Sequence, residues 1–319
     1  MEHEIVGQAV EAAVDGALTG IAGRKKEPMT GKKALKAMEK VMNAIFFICG
    51  MVAVAFVLLI SIYLIISGLP AILEIGPINF LFGTRWYAST GDFGIFAIIL
   101  TSFAGTAGAI LVGVAIGLMT AIFLSKVAPP KFAAVVHTAV ELLAGIPSVV
   151  YGLVGMILLV PAIRVAFDLP SGATLLAAII VLAVMILPSI VSVSETALRA
   201  VPREYEEASL ALGATHIETV FRVSVPAARS GIATAIVLGI GRAIGEAMAI
   251  IMVAGNVANM PGLLTPVRFL TTAIASEMSY PSVGSLHRNA LFSIGLVLFL
   301  FIMLINVFLN VFIKRKKED

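Results

Sequence analysis

The chain has 319 residues, of which 60% are hydrophobic and 13% carry a charge, and its mean hydropathy is +1.05. A soluble globular domain carries about a quarter charged residues and is about half apolar. This composition therefore excludes a soluble enzyme, a disordered chain and a nucleic-acid-binding protein. The few charges sum to +3, and we interpret the single cysteine, Cys49, as inert packing inside an apolar run. The sequence predicts an integral membrane protein.

Six apolar segments are long enough to cross a bilayer, which takes about 20 residues of helix. They cover residues 42–66, 94–124, 137–160, 173–194, 231–255 and 290–313. We therefore predict an all-α membrane domain over 41–313, preceded by a cytoplasmic segment 1–40 and followed by a basic cytoplasmic tail 314–319. The apolar stripe in the first 23 residues leaves two alternatives open, a mobile tail and an amphipathic helix on the membrane surface.

Lysine and arginine are unevenly distributed among the loops that join these segments. They gather in 1–40, in the second and fourth loops and in the tail, whereas the alternate loops hold few. Because basic loops remain in the cytoplasm, both termini are predicted to be cytoplasmic, and six spans satisfy this condition. The protein is thus predicted to be a multi-pass protein of the plasma or inner membrane.

Two of the segments carry small residues or proline in informative places. In the second segment a small residue recurs every fourth position, which predicts a stripe where another helix packs closely: Gly105, Ala109, Gly113 and Gly117. In the third segment, Pro147 predicts a kink. The kink is a candidate hinge for gating, and the alternative is a proline that serves packing alone.

The fourth loop, residues 195–230, has the signals of two short helices. Pro202 suits the first turn of a helix, and Gly213 is the residue type that follows a helix C-terminus. Thr215 and Glu218 have the spacing of a capping box, so a second helix starts there, and Pro226 is predicted to end it. A docking surface for a cytoplasmic partner explains both the polar composition of this loop and its ordered helix start and stop signals. A solvated linker explains only the polar composition.

The fifth segment contains two ionisable residues, Arg242 and Glu246. A charge near the middle of a span costs about 2.5–3.5 kcal/mol, so such residues are functional candidates by default. Their spacing of four predicts neighbours on one helical face that partly neutralise each other. Arg242 would supply charge and donors to an oxyanion on its route through the membrane, and the alternative is an ion pair that braces two subunits.

The fourth loop resembles the EAA signature of ABC importer permeases in two runs, Glu207-Ala208-Ser209-Leu210-Ala211-Leu212-Gly213 and Val223-Ser224-Val225-Pro226. The spacing of the signature is kept, with Ser209 in place of its second alanine. The resemblance implies the type I ABC importer permease fold, six transmembrane helices and a coupling helix that sits in a cleft of an ATPase subunit. It assigns that coupling to six residues here, Glu204, Glu206, Glu207, Ala208, Gly213 and Pro226.

The fifth segment is similar to the G-R-A-[IL]-G-E motif of phosphate ABC permeases, in the run Gly241-Arg242-Ala243-Ile244-Gly245-Glu246. Further similar runs, among them 80–86 and 141–152, favour the PstC-type subunit. The resemblance implies a PstA-type second permease, a PstB-type ATPase pair and a PstS-type binding protein as partners. No G-x-x-x-x-G-K-[ST] sequence occurs in the chain, so it is predicted to bind no cofactor, with ATP held by the partner ATPase.

Three alternative functions remain beside a phosphate permease that does no covalent chemistry. Sulfate and molybdate permeases carry a related R-A-x-G-E stretch, so the oxyanion rests on resemblance. An ion-coupled secondary transporter would need no ATPase, but such folds usually show internal repeats, which this sequence lacks. A membrane-embedded protease is disfavoured, because there is no H-E-x-x-H sequence and the aspartates lie outside the predicted spans.

Overall fold

A computed structural model describes residues 29–315, with the side chains of 35–36 and 38–307, and divides the chain into the units Met1–Ile60 and Ser61–Asp319. The expectations for residues 1–28 and 316–319 lie outside the described residues. The first helix, α1, covers Met29–Ile75. Between residues 38 and 60 its side chains are exposed and mostly apolar, as expected of a helix in contact with lipid or with another chain.

The second unit is almost entirely helical. Its helices are α2 (Pro77–Phe82), α3 (Phe96–Ile122), α4 (Pro130–Gly145), α5 (Ser148–Val154), α6 (Val160–Ala166), α7 (Leu175–Arg199), α8 (Arg203–Ala211), α9 (His216–Thr219), α10 (Val225–Ala227), α11 (Arg229–Gly245), α12 (Met248–Val253), α13 (Leu270–Glu277) and α14 (Leu286–Arg315). Three π-helical turns, Phe123–Val127, Gly155–Leu159 and Val220–Ser224, continue α3, join α5 to α6, and join α9 to α10.

The centre of this unit is helix α7, which packs against α3 and α11. The predicted small-residue stripe of α3 is confirmed as a packing surface: an ideal Cβ on Gly113 would lie 2.7 Å from Ile186 Cδ1, and one on Gly117 would lie 2.8 Å from Ile190 Cγ2. Only glycine allows the backbone of α3 to approach α7 this closely. On the other side, Ala243 of α11 is buried against the same two isoleucines.

The third and fifth predicted spans are interrupted in the structure, which corrects their predicted bounds. α4 ends at Gly145, Ile146 is extended (φ −72°, ψ 128°), and a new helix begins at Ser148 after Pro147. Pro147 therefore separates two helices instead of kinking one, because a proline ring disfavours helical geometry at the residue before it. The apolar stretch long enough to span is Ser148–Ala166, not 137–160.

The fifth span is broken near its predicted middle. α11 ends at Gly245, Glu246 is extended (φ −73°, ψ 130°), and α12 begins at Met248. At its other end α11 meets the helical stretch His216–Ala227 at a bend of 70°. Among the described residues, five helices can span a membrane by length and composition, or six if this bent pair is one span.

A short hairpin marks one end of the bundle. Strands β1 (Trp86–Tyr87) and β2 (Asp92–Phe93) pair antiparallel, with Trp86 opposite Phe93. Phe93 packs into a core with α3, α13 and α14. We call this the hairpin end, and we call the end that carries α8–α10 the loop end. The 27 residues of α3 run between the two ends, a distance of about 40 Å at 1.5 Å per residue.

Candidate functional site

The break after α11 separates the two ionisable residues predicted for the pathway. Arg242 lies in the last turn of α11 and is half-buried, and its Nη1 donates to Ser189 Oγ of α7 at 3.3 Å. Glu246 lies in the break, where its Oε1 accepts from the backbone N–H of Ala249 at 2.9 Å. The carboxylate thus satisfies one free amide at the start of α12, where negative charge is favoured.

The expected pairing of Arg242 with Glu246 is wrong. No ion pair between them occurs in the described part of the chain, where the salt bridges join other residues. Residues four apart are neighbours only while the helix continues, and α11 ends at Gly245, between them. Arg242 therefore keeps most of its donors unused within the described residues.

The small residues around this site divide into two sets. Gly239 and Ala243 are buried against α7. Gly241 and Gly245 are exposed, and an ideal Cβ on either would meet no described atom within 4 Å. The open side of the break is therefore lined by backbone, and Arg242 directly follows Gly241 in the chain. Peptide groups and a guanidinium are both groups that bind anions.

The helices that follow the two breaks, α5 and α12, pack directly against each other. An ideal Cβ on Gly152 of α5 would lie 2.7 Å from Ala249 Cα of α12, so the two backbones touch. Tyr151 OH donates to Leu143 O at 2.6 Å and thereby bridges the interruption at Pro147. The helix that follows the candidate hinge Pro147 thus packs against the helix that follows the candidate pathway residues.

The loop end confirms the order of helix signals read from residues 195–230. α8 begins at Arg203, directly after Pro202, and Gly213 follows it with φ +87°, a conformation that favours glycine. Thr215 and Glu218 form the predicted capping box. The second helix ends at Ala227, one residue after Pro226, and the chain bends by 70° before α11 begins at Arg229. Within it, Val225 N–H bonds to Val220 O in a π turn.

Glu206 fastens α8 to its surroundings. Its Oε1 accepts from Lys126 Nζ and from Ser224 Oγ, the latter at 2.8 Å. Burial would raise the pKa of the Glu206 carboxyl, but these two hydrogen bonds and the Lys126 charge outweigh it and lower the pKa. Between the two short helices, Ser209 Oγ lies 2.9 Å from Thr219 Oγ1. The loop is therefore ordered against the end of α3 instead of being a solvated linker.

The remaining residues assigned to coupling are exposed. Glu204, Glu207, Ala208 and Pro226 face outward in the described chain. Beside them, Leu212 is 90% exposed and Ile217 is 68% exposed. Exposed apolar side chains rimmed by acids and ordered by a capping box are typical of a protein-binding surface.

A polar cluster at the hairpin end was missed by the sequence analysis. Glu277 Oε2 accepts from Trp86 Nε1 at 2.9 Å and lies 2.9 Å from His287 Nε2, while Arg268 Nη1 donates to Glu277 Oε1. Burial opposes ionisation of Glu277, but the hydrogen bonds and the Arg268 charge lower the pKa of its carboxyl. We call these four residues the Glu277 cluster. No local sequence pattern predicts this cluster, because its residues come from four separate segments of the structure.

No three His, Cys, Asp or Glu side chains of the described chain lie close enough together to hold a metal ion. The site consists instead of an interrupted helix pair with an arginine, an ordered surface at the loop end and a polar cluster at the hairpin end. Its architecture resembles a solved permease: the chain superposes on one from the inward-facing MetNI methionine ABC transporter with a TM-score of 0.54 and 23% identity, covering 68% of this chain and 94% of that one. These features define the class, a helical membrane permease with the type I ABC importer fold.

The chain belongs to the family described as binding-protein-dependent transport system inner membrane components, whose model matches residues 113–318. A probable ABC transporter permease protein, YqgH, of Bacillus subtilis is 42% identical over 266 residues, covering 81% of this chain and 86% of that protein. The phosphate transport system permease protein PstC of Mesorhizobium japonicum is 34% identical (71% and 75% covered). PstC of Haemophilus influenzae is 31% identical (89% and 95% covered). The resemblance to phosphate ABC permeases is confirmed.

Proposed function

We propose that this chain is the transmembrane permease subunit of an ATP-driven importer of inorganic phosphate. The observation that carries the proposal is the half-buried Arg242 beside the open break between α11 and α12, in a chain similar to several PstC permeases. The chain forms the pathway and does no covalent chemistry. It binds no cofactor itself, and ATP is hydrolysed on a separate ATPase subunit.

The arrangement at the break suits an oxyanion. A guanidinium offers planar donors that match the oxygens of a tetrahedral anion, and Arg242 uses one of its nitrogens on Ser189. Glu246 is occupied by the amide of Ala249 and points its charge at the start of α12. A phosphate that reaches Arg242 meets guanidinium donors that no described residue occupies.

The loop end is proposed to face the cytoplasm and the hairpin end the opposite side, as the distribution of basic residues predicts. Both termini are then cytoplasmic. The exposed face of α8 and its neighbours, with Glu207, Ala208 and Leu212, docks on the ATPase pair. Because Glu206 joins α8 to Lys126 and Ser224, a push on this face is passed to α3 and, through the 70° bend, to α11.

The complete importer is proposed to contain a PstA-type second permease, a PstB-type ATPase pair and a PstS-type binding protein delivering the anion to the hairpin end. Membership of a binding-protein-dependent transport family and similarity to PstC permeases support these partners. The two alternative functions predict different transport behaviour. A sulfate or molybdate permease would prefer another anion, and a secondary transporter would need an ion gradient and no ATP.

The test is uptake of labelled phosphate into liposomes that contain the assembled complex, ATP and the binding protein. Arg242→Gln is expected to lower uptake about ten- to a hundredfold, the range for a charged hydrogen bond of about 1.5–3 kcal/mol, and Arg242→Lys to keep part of it. Arg164→Gln is the matched control, because Arg164 is exposed at the end of α6. ATP-independent uptake or preferred uptake of sulfate would contradict the proposed function. Equal uptake by Arg242→Gln and Arg164→Gln would contradict the role of Arg242 in it.

A further inference from the structure

Helix α13 connects the Glu277 cluster to the break in the fifth span. At one end, Glu277 is bound by Trp86, Arg268 and His287. At the other end, the backbone N–H of Leu270 donates to Ser102 Oγ of α3 at 2.9 Å. Leu270 and Ala273 are fully buried in the hairpin-end core. Because both ends are bonded and one face is buried, the helix, about 12 Å long, is held as a single element between the Glu277 cluster and α3.

The first turn of α13 carries a hydroxyl that reaches the break. Thr271 Oγ1 donates to the carbonyl oxygen of Glu246 at 2.6 Å. Glu246 follows the last residue of α11, where carbonyl groups lose their helical partners. Thr271 therefore supplies a bond that the interrupted helix cannot make for itself. The two residues are 25 positions apart in sequence, so the bond is tertiary.

Two hydrogen bonds to different helices hold Glu246. Its carbonyl oxygen is held by Thr271, and its carboxylate is held by the amide of Ala249 on α12. A displacement of α13 changes the position of the Glu246 backbone, and with it the relation of α11 to α12 next to Arg242. The Glu277 cluster joins the same α13 to the hairpin through Trp86.

We infer that Thr271 is a positioning residue: docking of the binding protein at the hairpin end moves α13, and Thr271 passes that movement to Glu246 in the pathway. The inference rests on the proposed function, because it assumes that the binding protein docks at the hairpin end and that Glu246 lies in the anion pathway. Thr271 does not contact the transported anion. It sets the geometry of the break through a single hydrogen bond.

The experiment compares Thr271→Val, which keeps the shape but removes the hydroxyl, with Thr271→Ser, which keeps the hydroxyl. Both are measured in the reconstituted complex for phosphate uptake and for stimulation of ATP hydrolysis by the phosphate-loaded binding protein. Thr271→Val is expected to lower both maximal rates about two- to tenfold, the range for one hydrogen bond, with an unchanged KM for the loaded binding protein. Thr271→Ser is expected to restore both rates.

A double-variant cycle tests the proposed route itself. Glu277→Gln loosens α13 at its other end, so combining it with Thr271→Val is expected to add little to the larger single effect, because both act on one connection. Fully multiplicative effects would overturn the inference, as would a Thr271→Val protein with normal rates or a Thr271→Ser protein as impaired as Thr271→Val. If Arg242→Gln abolishes uptake while Thr271→Val is normal, the inference alone fails. If phosphate uptake needs no ATP, or if sulfate is preferred, the proposed function fails whatever the Thr271 variants do.

Discussion

Glu206→Gln is expected to loosen α8 from the end of α3 without changing the shape of the side chain. The carboxylate accepts from Lys126 and Ser224, and the side chains of the ion pair are 11% and 24% exposed for Lys126 and Glu206. A hydrogen bond to a charged group contributes about 1.5–3 kcal/mol, whereas a fully exposed ion pair contributes about 0.2–1 kcal/mol. The partly buried pair lies between these limits, and glutamine still accepts one hydrogen bond. We therefore expect the free energy of local opening of α8 to fall by about 1–2 kcal/mol.

Amide hydrogen exchange of α8 in the full-length permease without its ATPase measures this loss directly, because it reports the free energy of local opening. A loss of about 1–2 kcal/mol corresponds to exchange about five- to thirtyfold faster over Arg203–Ala211. Glu204→Gln is the matched control. It removes the same charge from the same helix at an exposed position, where substitutions change stability by about 0.5 kcal/mol or less. Equal exchange in the wild-type and Glu206→Gln proteins would refute the anchoring argument.

Three further outcomes are expected. Folding lowers the pKa of the Glu277 carboxyl from 4.5. The wild-type protein is therefore expected to be more stable than Glu277→Gln above about pH 4.5, and to lose this advantage as the pH falls through the folded-state pKa. Thermal unfolding of the two proteins measures the difference, and a difference that does not change with pH would contradict this. Gly113→Val forces a side chain against Ile186 and is expected to destabilise the bundle by about 1–3 kcal/mol in denaturant unfolding. Gly50→Val, at an open position, is the control, and equal effects would show that the close approach carries no strain. Thr215→Val removes the N-cap and is expected to cost about 1 kcal/mol, seen as faster exchange over 216–219 that Thr215→Ser restores; unchanged exchange would exclude a role for the cap.

Local chemistry explains which features could be predicted from the sequence. The capping box of Thr215 and the left-handed Gly213 depend on residues within one turn of each other. The close-packed face of α3 follows from a repeat of small residues on a single helix. Apolar length likewise predicted the first, second, fourth and sixth spanning helices, whereas the third and fifth are interrupted. Each of these properties is set by neighbours in the chain, so a sequence pattern is sufficient.

Only the tertiary structure decided the geometry at the centre of the molecule. Nothing in the run around Glu246 forbids a continuous helix, yet the chain breaks there, with the freed carbonyl bonded to Thr271 and the carboxylate bonded to Ala249. The pairing of Arg242 with Glu246 was expected from helical spacing and is lost with the break. The Glu277 cluster likewise unites residues from four segments. Interactions between residues distant in sequence leave no periodic signal along the chain, because their geometry exists only after the helices have packed.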